Sequence, residues 1–117
     1  MEKGPSTFGS QWAYPGSDEV HADKHGPEFG FDKKDVVLYR TAAQVFVNTK
    51  EYGNMLFRKK NGSIYKYKPS TKELAVYTKN GIMITYYRTS LRYFINEFNN
   101  KGGVEWLYKG DYDDEKQ

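Results

Sequence analysis

The fold of this chain is decided by residues 55–87, which read MLFRKKNGSI YKYKPSTKEL AVYTKNGIMI TYY. From Met55 the pattern changes to a period of two along four short runs, at 55–60, 63–68, 73–78 and 82–87, and is clearest where Tyr65 and Tyr67 alternate with Lys66 and Lys68. Alternation of this kind predicts β-strands. Asn-Gly pairs at 61–62 and 80–81 favour tight hairpin turns, and residues 69–72 supply the middle turn. The stretch therefore predicts a four-stranded antiparallel meander.

Helical patterns flank the meander on both sides. A short helix is predicted to end at His25, where Gly26 would supply a left-handed stop. Asp32 is a suitable N-cap for a longer helix over residues 33–48, and a third helix is predicted over 90–100. We therefore predict an α+β fold, in which N-terminal helices pack on the four-stranded antiparallel meander and a C-terminal helix follows.

The length of 117 residues fits one domain. Residues 1–16, rich in Gly, Pro and Ser, are predicted to be a flexible arm or linker, and residues 17–109 the folded domain. Residues 110–117 are predicted to be a disordered acidic tail. No stretch approaches the roughly 20 apolar residues of a membrane span, so none is predicted. The chain has no cysteine, which excludes disulfides and thiolate sites.

The distribution of charge indicates a polyanionic partner. The formal net charge is +3, but both ends are acidic, so residues 20–110 carry +8. Between Met55 and Tyr93, nine Lys or Arg residues stand against one acid, Glu73. A basic cluster interleaved with aromatic residues is typical of a nucleic-acid-binding surface, with a solvated lysine face as the alternative.

The only two histidines, His21 and His25, lie one helical turn apart. Metal-free RNA cleavage needs a base that takes the 2′-hydroxyl proton and donors around the phosphate. Imidazole exchanges protons near neutral pH, so His25 is the best candidate base. The alternatives are a helix cap at His25 and a His-x-x-x-His metal half-site, for which the chain offers no convincing third ligand. We predict no metal and no cofactor.

Further residues are predicted to bind phosphate or RNA. Lys24 is a candidate point charge beside His25, and Thr85 is a candidate hydroxyl donor to a phosphate oxygen. The candidate substrate-binding residues are Arg58, Lys60, Lys66, Tyr87 and Arg88. The alternative for Thr85 is that it is an ordinary strand residue, and the alternative for most of the strand tyrosines is that they pack in the core.

Several short motifs resemble, in their order and spacing, the catalytic domain of colicin D and the C-terminal toxin domains of contact-dependent inhibition. They are Lys24-His25-x-x-Glu28-Phe29-Gly30, His21-x-x-Lys24-His25-Gly26, the turn at 67–73, Asn80-Gly81, Thr85 and Tyr93-Phe94-Ile95-Asn96. The resemblance covers residues 19–98. These toxin domains belong to the barnase–EndoU–colicin–RelE (BECR) group of small ribonucleases, in which helices precede an antiparallel sheet.

The resemblance implies a metal-independent endoribonuclease toxin domain that cleaves tRNA and leaves a 2′,3′-cyclic phosphate. Its catalytic residues would be among His21, Lys24, His25 and Thr85. It also implies delivery from the producing cell in bacterial competition, action in the target-cell cytoplasm, and neutralisation by an acidic cognate immunity protein. A requirement for a host activator protein stays open. The residues alone also leave open a noncatalytic RNA-binding domain and a structural or protein-interaction domain.

Overall fold

The computed structural model describes residues 9–32, 35–49 and 54–108. In chain order the elements are β1 (Gln11–Trp12), α1 (Ser17–His25), a 3-10 helix (Gly26–Phe29), α2 (Val36–Asn48), β2 (Met55–Lys59), β3 (Ile64–Lys68), β4 (Glu73–Tyr77), β5 (Ile82–Arg88), α3 (Leu91–Asn100) and β6 (Gly103–Tyr108). The strands form a six-stranded mixed sheet in the order β1-β5-β4-β3-β2-β6. The predicted α+β class is confirmed.

The predicted meander is present as β2 to β5, which are successive antiparallel neighbours. The prediction of a four-stranded sheet is nevertheless wrong in extent, because one strand is added at each end. β1 pairs in parallel with β5, with Gln11 opposite Ile82, and β6 pairs antiparallel with β2. Since α3 precedes β6 in the chain, the third helix is not the last element.

The glycines of the two Asn-Gly pairs make the hairpin turns that the sequence predicts. Gly62 and Gly81 have φ angles of 91° and 89°, a region that glycine enters without a steric penalty. Asn61 Oδ1 accepts a hydrogen bond from the backbone N–H of Ser63 at 3.0 Å. These local contacts close the turns between β2 and β3 and between β4 and β5.

The turn after α1 differs from the prediction of a left-handed stop at Gly26. Gly26 has φ −53°, a right-handed conformation, and it begins the 3-10 helix. Pro27 is tolerated there because the first turn of a helix needs no N–H donor from it. The left-handed residue is Gly30, with φ 82°, at the end of the 3-10 helix. The longer helix begins at Val36, while residues 33 and 34 lie outside the described ranges.

The predicted arm and tail fall largely outside the described residues. Residues 1–8 and 110–117 are not among them. The end of the predicted arm forms β1, where Trp12 is buried and its ring lies 5.8 Å from that of Tyr39. Gln11 and Trp12 are therefore part of the sheet.

Each face of the sheet carries its own apolar core. The face toward α2 is packed by Tyr39, Ala43, Phe46, Ala75, Met83 and Tyr86, and the face toward α3 by Met55, Phe57, Tyr67, Leu74, Val76 and Phe94. Side chains alternate between the two faces because successive residues of a strand point in opposite directions. No helix within the described ranges is long and apolar enough to span a membrane.

The position of α1 follows from the shortness of β1. β1 covers only Ile82 and Met83 of β5, so the remainder of that strand edge is left for α1 and the 3-10 helix. Ala22 of α1 is buried in the core of the α2 face. The backbone N–H of Arg88 donates to the Glu28 side chain of the 3-10 helix. α1 therefore lies along the edge of the sheet, at its β5 end.

Candidate active site

Four side chains from α1 and β5 meet at this edge. His21 and His25 are one turn apart and lie on the same side of α1. Thr85 and Tyr87 are two positions apart on β5 and point to the same face of the sheet. We call these four residues the histidine cluster. The sequence predicts all four as site residues, and their roles stay predictions.

Within the histidine cluster, each imidazole contacts one side chain of β5. Thr85 Oγ1 lies 3.1 Å from His21 Nδ1. The His25 ring stacks on the Tyr87 ring, with 5.0 Å between their centroids. The two imidazoles are nearly parallel, with centroids 5.9 Å apart and planes inclined at 18°. The cluster is thus a row of rings along β5, with a threonine hydroxyl at one end.

A carboxylate that the sequence analysis does not assign to the site holds His25. His25 Nδ1 lies 2.6 Å from Glu28 Oε2, and the backbone N–H of Arg88 donates to Glu28 Oε1 at 2.8 Å. The 3-10 helix folds Glu28 back toward α1, three residues after the histidine. The spacing from His25 to Glu28 is the signal in the sequence, because residues three apart are neighbours on a helical turn.

The environment shifts the pKa of two members of the cluster. Burial lowers the pKa of His21 below its ordinary value, and electrostatic interactions with His25 and Lys24 lower it further. His21 is therefore uncharged at neutral pH. Burial raises the pKa of Tyr87, and its hydrogen bond with Tyr93 adds to the effect. Tyr87 consequently keeps its proton and stays an O–H donor.

Tyr87 is also tied to α3. Its hydroxyl lies 3.4 Å from that of Tyr93, which in turn lies 3.5 Å from Glu97 Oε1. The Glu97 side chain is buried, and Lys59 Nζ lies 3.5 Å from the same oxygen. Tyr93 and Glu97 were not predicted as site residues. Their i, i+4 spacing on α3 places them on one helix face, but only the fold brings that face to Tyr87.

Two predicted cations lie beside the histidine cluster. Lys24 is exposed in the last turn of α1, next to His25. Arg88 is exposed at the end of β5, and its guanidinium lies 5.3 Å from the centroid of the Phe29 ring. The backbone bond from Arg88 to Glu28 keeps this residue close to the imidazole of His25. Lys24 therefore adjoins the cluster, whereas the Arg88 guanidinium lies with Phe29 and is joined to the cluster only through its backbone N–H.

Arg58 and Lys60 lie away from the cluster. They belong to β2 and its following turn, and β3 and β4 separate β2 from β5. At a strand spacing of about 4.8 Å, β2 is roughly 14 Å from β5. The Arg58 guanidinium also donates to Glu105 Oε2 at 2.6 Å, across the pair formed by β2 and β6. The structure therefore does not bring these two cations to the site of His25.

Lys66 is buried on the opposite face of the sheet, with 4% of its surface exposed. Its ammonium donates to the carbonyl oxygen of Phe46 at 2.6 Å and also to that of Thr49. These carbonyls end α2, where helical backbone oxygens lack intrahelical partners and cations are favoured. Lys66 consequently caps the carboxyl end of α2, and we no longer propose it as an RNA-binding residue.

Replacing Lys66 with methionine is expected to lower the free energy of unfolding by about 2 kcal/mol, because the buried carbonyl of Phe46 and the part-buried carbonyl of Thr49 lose a charged donor. RNA affinity should not change. Chemical denaturation and a filter-binding assay measure the two quantities. The matched control is Lys79→Met, which removes an exposed lysine from the turn between β4 and β5. Unchanged stability together with weaker RNA binding would return Lys66 to the RNA-binding surface.

Within residues 9–32, 35–49 and 54–108, no three His, Asp or Glu side chains are grouped closely enough to hold a metal ion. The arrangement at β5 instead combines an imidazole, a carboxylate, hydroxyl donors and exposed cations. Comparison of the chain with protein-family models finds no match, and comparison with curated proteins finds none either.

Proposed function

We propose that this protein is a metal-independent endoribonuclease toxin domain that cuts tRNA and leaves a 2′,3′-cyclic phosphate. The observation that carries the proposal is the placement of His25. Its imidazole is held by Glu28 at 2.6 Å and stacked on Tyr87, and the exposed cation Lys24 is the adjacent residue on α1. A proton acceptor beside phosphate-binding groups is the combination that this reaction requires.

In the proposed reaction, His25 takes the proton of a ribose 2′-hydroxyl. The 2′-oxygen then attacks the adjacent phosphorus, the bond from phosphorus to the 5′-oxygen breaks, and the departing oxygen takes a proton from water. Lys24 and Arg88 offset the charge that develops on the phosphate oxygens. In the tautomer in which His21 Nδ1–H donates to Thr85 Oγ1, the Thr85 hydroxyl proton is free to be donated to one of these oxygens. The products are a 2′,3′-cyclic phosphate and a free 5′-hydroxyl.

The choice of tRNA as substrate follows from the resemblance to colicin D and its relatives, while the choice of a polyanion follows from charge. Residues 20–110 carry a formal charge of +8. The same charge suits an acidic immunity protein, which would cover the cluster and gain association rate by electrostatic attraction. Delivery into the cytoplasm of a target cell is part of the same proposal.

The test is incubation of the purified protein with total tRNA in EDTA, followed by mapping of the fragment ends. Discrete cuts with cyclic-phosphate ends are expected. Salt-sensitive binding without cutting would favour a noncatalytic RNA-binding domain. The absence of both cutting and binding would favour a structural or protein-interaction domain.

Arg88→Ala is expected to weaken RNA binding and to reduce the slope of log Kd against log salt concentration by about 1, because one phosphate contact is lost. Arg58→Ala is the matched control. Its guanidinium already pairs with Glu105 and lies several strands from His25, so its slope should equal that of the parent protein. Binding is measured on a His25→Ala background, which keeps the RNA intact. Equal slopes for both variants would remove Arg88 from the binding surface.

A further inference from the structure

We infer that Glu28 is a positioning residue that places the proton of neutral His25 on Nδ1 and leaves Nε2 bare. The role of Nε2 in taking the 2′-hydroxyl proton rests on the proposed function, whereas the position of the imidazole proton does not. The inference follows from the two contacts of the Glu28 carboxylate and from the hydrogen-bonding capacity of each atom involved.

The two oxygens of Glu28 are engaged by different elements. Oε1 lies 2.8 Å from the backbone nitrogen of Arg88, which can only donate. Oε2 lies 2.6 Å from His25 Nδ1. An ionised carboxylate accepts but does not donate, so the proton of this second bond must belong to Nδ1. In a neutral imidazole the other nitrogen, Nε2, is then the acceptor.

The other groups around His25 fix the plane of its ring. Tyr87 of β5 stacks on the imidazole, and His21 lies parallel to it on α1, with Nδ1 of His21 at 3.1 Å from Thr85 Oγ1. The neighbouring cations are Lys24 on α1 and Arg88 on β5. With Nδ1 turned toward Glu28, Nε2 lies on the opposite edge of the ring. That edge is where a substrate proton would be taken.

The isosteric change Glu28→Gln separates this role from simple packing. A glutamine side chain has one acceptor oxygen and one NH₂ donor, so only one of the two positions that the Glu28 oxygens occupy remains an acceptor. When its oxygen accepts from the backbone N–H of Arg88, its NH₂ group faces His25 Nδ1. Nδ1 must then be bare, and the imidazole proton moves to Nε2. The variant keeps the shape of the site but reverses the tautomer.

The experiment is long-range ¹H–¹⁵N NMR of the full chain at about pH 9, where imidazoles are neutral. The chain has two histidines, so His21→Asn assigns their signals. We expect Nδ1 of His25 to carry the proton in the wild type and Nε2 to carry it in Glu28→Gln. Glu19→Gln removes an exposed carboxylate from the same helix and should retain the wild-type pattern. A wild-type proton on Nε2 would overturn the inference without recourse to any variant, and so would an unchanged tautomer in Glu28→Gln.

Cleavage assays distinguish failure of this inference from failure of the proposed function. Glu28→Gln should lower kcat at least about 100-fold with little change in KM, as expected when a catalytic imidazole has the wrong tautomer. A protein that cuts no RNA but shows the expected tautomers would support the inference and count against the nuclease. A protein that cuts RNA equally well with either residue would keep the nuclease and overturn the positioning role.

Discussion

Replacing His25 with alanine is expected to slow the cleavage of tRNA by about 100- to 10,000-fold, the range over which a positioned general base contributes. The reason is that His25 is the imidazole held by a carboxylate at 2.6 Å, whereas His21 is engaged with Thr85 and has a lowered pKa. The measurement is single-turnover cleavage in EDTA, with circular dichroism to establish that the variant is folded.

Two controls accompany the His25 variant. Added imidazole should restore part of the cleavage by His25→Ala, because the small molecule can occupy the vacated space and take the proton. Val104→Ala, purified in parallel, changes an exposed residue on β6 at the far edge of the sheet and should cut at the wild-type rate. Equal cutting by His25→Ala and wild type would assign the base to another group or the activity to a contaminant.

Phe57→Ala is expected to lower the free energy of unfolding by about 3–5 kcal/mol, the usual cost of deleting a fully buried aromatic ring. Phe57 is 0% exposed at the centre of the α3-face core. Its ring centroid lies 4.9 Å from that of Tyr65, 4.9 Å from Phe94 and 5.5 Å from Trp106. The ring therefore joins β2 to β3, α3 and β6.

The loss at Phe57 is a large part of the roughly 5–15 kcal/mol that stabilises a domain of this size. Urea denaturation followed by circular dichroism measures it. Tyr14→Ala is the matched control, because this aromatic side chain is 75% exposed and its removal should change stability by less than about 0.5 kcal/mol. A similar small change for Phe57→Ala would contradict the packing of β6 and α3 around that ring.

The elements predicted best are those whose signals are local. The strands from β2 to β5 follow from alternation over five to seven residues and from Asn-Gly turns, which act within a few positions of the chain. The sequence does not predict β1 because it is only two residues long, and it does not predict β6 because the helix before it is expected to be the last element of the domain. Their place in the sheet depends on pairing with strands distant in sequence.

The residues of the candidate site likewise include some that local sequence signals predict and some whose position only the fold sets. The sequence predicts His21, His25, Thr85 and Tyr87 by residue type and motif, and the fold brings them together along β5. The environment of the Lys66 side chain could not be predicted from the adjacent residues of the sequence. A strand lysine faces solvent or the end of a helix according to which helix packs on its face of the sheet. Its burial against the carbonyls of α2 is set by tertiary contacts.

By itself, the sequence determined the α+β class, the central strands, and a histidine-bearing helix ahead of a basic, tyrosine-rich sheet. Periodicity and turn chemistry act over a few residues and can be read from one chain. Only the tertiary structure decided that Arg58 pairs with Glu105 far from the cluster. It likewise decided that Glu28 reaches both His25 and the backbone of β5. The contacts of Arg58 with Glu105 and of Glu28 with Arg88 join residues 47 and 60 positions apart, and their geometry is set by how helices and strands pack. Only the contact of Glu28 with His25 has a local signal, their spacing of three residues.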